Sequence, residues 1–277
     1  MILGGIPYYL SLLDPSQSYH ENIDALLFKK KGELWDEFSS LYHTLFTNSE
    51  HYIKVVETLH HLRRGMTRGE IAKATKLALN GALSQILNNL ADSGFIRQYI
   101  CYRHGKKETL YQLADYYTLF YFRFIKDRYG KDEHFWSRTT DNPARRVWAG
   151  LSFEQLCMDH ITQIKKKLGV EGVLSEEYAW SARDNKESSP EDNGAQIDLL
   201  IDRRDRVINV CEIKFSINEF EIDKTYDRIL RNKIETYRKS SGTKKTLQLT
   251  MITTFGVKSN MYSSIATGQV VLDDLFV

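Results

Sequence analysis

Cysteine is scarce in this chain: three residues, Cys101, Cys157 and Cys211, far apart and odd in number. That argues against a disulfide framework and against a C-x-x-C zinc site, and it fits a reducing cytosol. Net charge of one sign is missing too. Lys and Arg number 38 against 36 Asp and Glu, a balance of +2, so bulk charge names no partner. No apolar run approaches the roughly 20 residues of a membrane helix. The N-terminus carries no basic region ahead of an apolar stretch, so no signal peptide is expected. Repeats and low-complexity tracts are absent. No G-x-x-x-x-G-K-[ST] occurs anywhere, which excludes ATP binding by a P-loop.

What is present is organised around Gly194–Phe215. The stretch reads as two short apolar strands joined by a charged turn. In the first, Ile197, Leu199 and Ile201 point one way and Gln196, Asp198 and Leu200 the other. The second ends in Glu212-Ile213-Lys214, with Glu212 and Lys214 on one face by the period of two. Buried charge must be paired or must coordinate a metal. Two acids and a lysine on an apolar hairpin therefore mark a candidate site.

The rest divides into four segments. Residues 1–50 read as helices that only pack, around Tyr8–Leu13, Ile23–Leu27 and Leu34–Phe46. Residues 51–113 read as a winged helix-turn-helix. Helix Tyr52–Leu62 is followed by a capping box, Thr67 with Glu70, that starts Glu70–Thr75. Leu79–Ser93 comes next, closed by Gly94. Two strands, Phe95–Tyr102 and Thr109–Leu113, then flank a wing at His104–Lys107. This segment holds ten Lys/Arg and four Asp/Glu, net +6, and leaves the rest of the chain at −4. That asymmetry suits phosphate binding. The polar outer face of Leu79–Ser93 becomes a recognition helix. The DNA-contact candidates are Arg68, Lys73, Lys76, Asn80, Ser84, Gln85, Asn88, Lys106 and Lys107.

Residues 114–143 carry an aromatic stripe and read as a helical connector, since aromatics at helical spacing are more often core than stacking platform. Asp141-Asn142-Pro143 sets the boundary. Residues 144–277 alternate helix, strand, hairpin, helix and strand, which predicts a mixed α/β sheet. Its first helix, Trp148–Leu168, carries Glu154 beside an apolar stripe. Arg183–Asn193 reads as a polar loop. The whole chain is thus an α+β multidomain protein.

With Arg203–Val207 as the loop, Asp202 pairs with Ile208 and Asp198 with Glu212, their Cβ atoms about 5 Å apart. Carboxylates that close need a cation between them. Hard oxygen ligands suit Mg²⁺ or Mn²⁺, with water and a substrate phosphate completing the shell. Lys214 is placed to orient a water or offset phosphate charge, and Glu154 to add a ligand. A slip of one residue would put Asp198 and Glu212 on opposite faces.

Glu154 on a helix, then Asp198, then Glu212-x-Lys214 resembles the PD-(D/E)xK nuclease superfamily, with Gln196-Ile197-Asp198 where Pro-Asp would stand. The full chain resembles the C-terminal half of a family of prokaryotic AAA-type ATPases. Gly4-Gly5-Ile6-Pro7, Leu151-Ser152-Phe153-Glu154 and Val271-Leu272-Asp273-Asp274-Leu275-Phe276 carry that likeness. The resemblance implies a restriction-endonuclease-like fold in which Asp198 and Glu212, with Glu154, hold Mg²⁺ and Lys214 assists phosphodiester hydrolysis. Lacking the P-loop, the chain reads as a truncated homologue or a piece of a longer one. The expected function is a Mg²⁺-dependent DNA endonuclease or nickase of the cytoplasm, with DNA brought by the winged helix. A non-catalytic DNA-binding or regulatory module with a vestigial nuclease fold is the alternative. A third reading is a protein-interaction segment of an ATPase-like assembly, with a homo-oligomer or protein partner held through residues 1–50. No membrane partner is expected.

Overall fold

A computed structural model describes residues 1–62, 65–103, 106–128, 131–140, 142–182 and 195–277. The chain is α+β, and contacts gather it into two units. Met1–Gln98 with Thr109–Val147 make the first, Tyr99–Glu108 with Trp148–Val277 the second. Residues 1–50, the basic segment up to Gln98 and the aromatic stretch after Thr109 therefore pack as one body. The reason is composition: Phe120, Tyr117 and Trp136 are buried, and they need the apolar faces of the preceding helices to be so.

In the first unit, α1 (Pro7–Ser11), α2 (Tyr19–Ile23) and α3 (Glu37–Leu45) lead to α4 (Ser49–His61), α5 (Arg68–Thr75) and α6 (Gly81–Asp92). A π-helical turn, Asp24–Phe28, extends α2. The capping box at Thr67 is present: Glu70 N donates to Thr67 Oγ1 at 3.2 Å and Thr67 N to Glu70 Oε2 at 2.6 Å. α6 starts two residues later than its periodicity suggests, because Asn80 is its N-cap and accepts from Ala82 N and Leu83 N. The strands β1 (Ile96–Arg103) and β2 (Lys106–Leu113) follow, then α7 (Tyr116–Phe120) and α8 (Phe135–Arg138). His104 and Gly105 of the expected wing lie outside the described residues, as do Asp141 and the loop Arg183–Asn193.

Gly65 fixes the entry to α5. Its φ is +72°, and a Cβ there would meet Tyr111 O at 2.8 Å. The next residue, Met66, exchanges backbone hydrogen bonds with Tyr111. Gly65→Ala is therefore expected to lower stability by about 2–3 kcal/mol, the left-handed strain and the close contact together, read from chemical denaturation.

In the second unit, α9 (Pro143–Asp159) and α10 (Ile161–Lys167) replace the single helix expected over Trp148–Leu168, with His160 at the break. Then come β3 (Ser175–Ser181), β4 (Gln196–Arg203), β5 (Val207–Lys214), α11 (Lys224–Ser241), β6 (Thr246–Thr253) and β7 (Gly268–Val271). The sheet order is β2-β1-β3-β4-β5-β6-β7. β3, β4 and β5 pair antiparallel, and β5, β6 and β7 pair parallel. β1 pairs parallel with β3 through Cys101↔Ala179 and Tyr102↔Trp180.

Two apolar layers cover this sheet. On one face Ile197, Leu200, Ile208, Val210 and Met251 meet Ile222, Leu230 and Tyr237 of the α11 region. On the other, Leu199, Ile201, Cys211 and Ile213 meet Phe153, Cys157 and Ile164 of α9 and α10. Among the described residues no helix is long and apolar enough to cross a membrane. Cys101, Cys157 and Cys211 are free and buried.

Candidate functional site

The hairpin register is Leu199↔Cys211, Leu200↔Val210, Ile201↔Asn209 and Asp202↔Ile208. This is the pairing that the loop at Arg203–Val207 demands, and it runs as far as Leu199 and Cys211, one residue short of Asp198 and Glu212. The alternation before that point is different from the expected one. Tyr178 pairs with Leu200 but Trp180 with Ile197, two residues of β3 against three of β4. A β-bulge therefore sits at Asp198–Leu199, and Ile197 joins the layer of Leu200 rather than that of Leu199 and Ile201. Bulges re-aim side chains beside functional sites. Here the bulge falls on the acid in question.

Glu212 is buried, 5% exposed, and meets Tyr226 and Lys233 of α11. Its Oε1 accepts from the Tyr226 hydroxyl at 2.5 Å and lies 3.3 Å from Lys214 Nζ. Its Oε2 accepts from Lys233 Nζ at 2.7 Å. Burial pushes this carboxyl up, but the ammonium groups of Lys233 and Lys214 and the hydrogen bonds from Lys233 and Tyr226 outweigh it and hold it below its ordinary value. Lys214 also lies over the Tyr226 ring, 5.8 Å from the centroid.

Asp198 is half-buried and accepts from Gln196 Nε2 at 2.8 Å. Its charge reaches Tyr226: burial, then Glu212, then Asp198 all raise that phenol. Both carboxylates thus act on one hydroxyl.

Tyr226 and Lys233 come from α11, and sequence reasoning missed them. Asp223 caps that helix by accepting from Tyr226 N at 2.7 Å. Gly242, at φ +64°, ends it. Tyr226, Leu230, Lys233 and Tyr237 recur at i, i+4, i+7 and i+11 along the stripe that faces the sheet. A lysine in a core-facing stripe is the same anomaly as an acid on an apolar strand, so the signal was there to be read.

Glu154 sits elsewhere. It lies on α9, whose Phe153 and Cys157 pack on the opposite layer, and its charge is felt at Cys157. Among the described residues no group of three or more His, Cys, Asp or Glu is gathered as a metal site. Asp202 and Asp205 serve the turn: Asp202 is paired with Lys245 and Asp205 with Arg203.

Among the candidate DNA contacts Lys73, Lys76, Asn80, Gln85, Asn88 and Lys107 are exposed. Arg68 Nη2 donates to Asn80 O at 3.0 Å, and Ser84 Oγ is 3.5 Å from the same oxygen. Asn80 uses its side chain on the α6 cap. Gln85 donates to Asn89 at 2.7 Å. Lys107 is 3.7 Å from Glu176 and stands over the Tyr102 ring. The Lys106 side chain lies outside the described residues.

Comparison with protein-family models, with curated proteins and with solved structures finds no match for this chain.

Proposed function

We propose that the second unit is a PD-(D/E)xK-type phosphodiester hydrolase acting on DNA, with Asp198, Glu212 and Lys214 at its centre. The observation that carries this reading is the cluster around Tyr226: Lys214 Nζ lies 3.3 Å from the buried Glu212, and the charges of Glu212 and Asp198 both act on the Tyr226 hydroxyl. The helix–three strands–helix–strand order, with β3-β4-β5-β6 adjacent and only the last pair parallel, supports it as well.

The two carboxylates suit a divalent ion once an ammonium group leaves Glu212. Mg²⁺ is held by one or two carboxylates, the rest of its shell being water and substrate phosphate. Asp198 and Glu212 would hold it, and Glu154 of α9 would be the further donor that the resemblance implies. When bound, such an ion polarises the phosphoryl oxygen and supplies an acidified water. The chain's own groups do the rest. Gln196 orients Asp198 and Tyr226 orients Glu212. Lys214 offsets charge that develops on the phosphate. Burial of Glu212 keeps bulk water from its far side.

The sequence of α4, α5, α6 and two strands supports reading the basic segment as a winged helix that brings DNA, through Lys73, Lys76, Gln85 and Asn88 first. One observation favours the non-catalytic alternative: both oxygens of Glu212 already have cationic partners. Nicking of supercoiled plasmid with Mg²⁺ or Mn²⁺ separates the two. Asp198→Ala and Lys214→Ala are expected to lose at least about 10²-fold in rate while remaining folded. Equal residual cleavage in those variants overturns the assignment. Salt-sensitive DNA binding with no cleavage at any metal concentration supports the alternative.

A further inference from the structure

The α11 lysine stands where a metal-binding carboxylate is needed. Lys233 Nζ takes Glu212 Oε2 alone, at 2.7 Å, while Tyr226 and Lys214 share Oε1. The formal charges of Asp198, Glu212, Lys214 and Lys233 sum to zero. A dication added to that set meets two ammonium groups held against one of its two donors, and repulsion at a few ångströms in a half-buried site is severe. One cation must leave. Lys214, 37% exposed, is the lysine that the proposed function keeps beside the phosphate. Lys233 hangs from a four-carbon stem on α11, and its side chain is 22% exposed, so solvent is within reach.

We propose that Lys233 is an exchangeable counter-ion of the site: its ammonium holds Glu212 in the metal-free protein, and a divalent ion binds by displacing it. The proposal rests on the reading of Asp198 and Glu212 as the donors. Lys233 is then a positioning residue. It keeps a buried carboxylate ionised and aimed while no ion is present, and it sets how tightly one is held.

Mn²⁺ binding to the full chain, read from the loss of the free-ion EPR signal without DNA, tests this independently of turnover. Lys233→Met and Lys233→Gln are expected to bind Mn²⁺ about tenfold more tightly than wild type, since each removes a positive charge beside the ion. Lys233→Arg keeps the charge and is expected to bind as wild type does. Asp198→Ala is expected to lose binding. Thermal melts select the folded variants, and either neutral substitution suffices. If Asp198→Ala loses Mn²⁺ while both neutral variants bind no better than wild type, the exchange is overturned and the donor assignment stands. If Asp198→Ala binds as wild type does, or if no form binds, the donor assignment fails and the exchange with it.

Discussion

Phe120→Ala is expected to lower the stability of the first unit by about 3–5 kcal/mol, the range for emptying a buried aromatic site. Phe120 is 0% exposed. Its ring stands edge-on to Trp136 at 5.0 Å and to Phe28 at 6.2 Å, and Phe124 is 5.0 Å away. Two stretches far apart in sequence, around Phe28 and from Phe120 to Trp136, therefore meet on one side chain. Neighbouring rings are stiff and cannot collapse into the space, which sets the effect toward the upper end of the range. Chemical denaturation followed by tryptophan fluorescence reads it, because Trp136 lies against the cavity. A loss below about 1 kcal/mol would show that residues 109–147 merely connect rather than close the core.

The aromatic stripe was legible as core because it recurs at helical spacing, and that much needs no tertiary information. What it packs on was not legible. The stripe looks like a connector when only its neighbours in sequence are considered, yet its buried rings Phe120 and Phe122 take Phe28 and Phe38 from the first forty residues as partners. The hairpin shows the same division. Loop length and alternation fix the pairing of β4 with β5, both being local. The bulge at Asp198–Leu199 answers to β3, a strand separated from β4 by a polar loop, so no local rule locates it. Likewise β1 reads as a wing strand, and only the long-range pairing of Tyr102 with Trp180 shows that its outer half adds to the second unit's sheet. Lys233 is the opposite case. Its place in the stripe of Tyr226, Leu230 and Tyr237 was available from periodicity, but a helix rich in Lys and Arg hides one misplaced lysine among several exposed ones.

The acid limb of stability should report Glu212 directly. In metal-free protein with EDTA, Glu212→Gln is expected to lower stability at pH 7 by about 2–3 kcal/mol. Removing one partner from a buried pair typically costs 3–5 kcal/mol, and the lower figure here allows for the partial exposure of Lys214 and Lys233. The sign follows from the direction of the shift. Burial raises the Glu212 carboxyl, the charges of Lys233 and Lys214 and the hydrogen bonds from Lys233 and Tyr226 lower it by more, and the net is a value below that of the unfolded chain. Its contribution is therefore complete above the unfolded carboxylate range, near pH 4.3, and drains away as pH falls through the lowered folded value. Wild type and Glu212→Gln should converge in urea midpoints as pH falls through that lowered value, where the glutamate takes up its proton and the glutamine changes nothing. A difference that neither shrinks nor grows with acid would mean that the amide disturbs packing alone. A difference that grows with acid would mean that desolvation wins and that Glu212 is held protonated, which neither lysine contact permits.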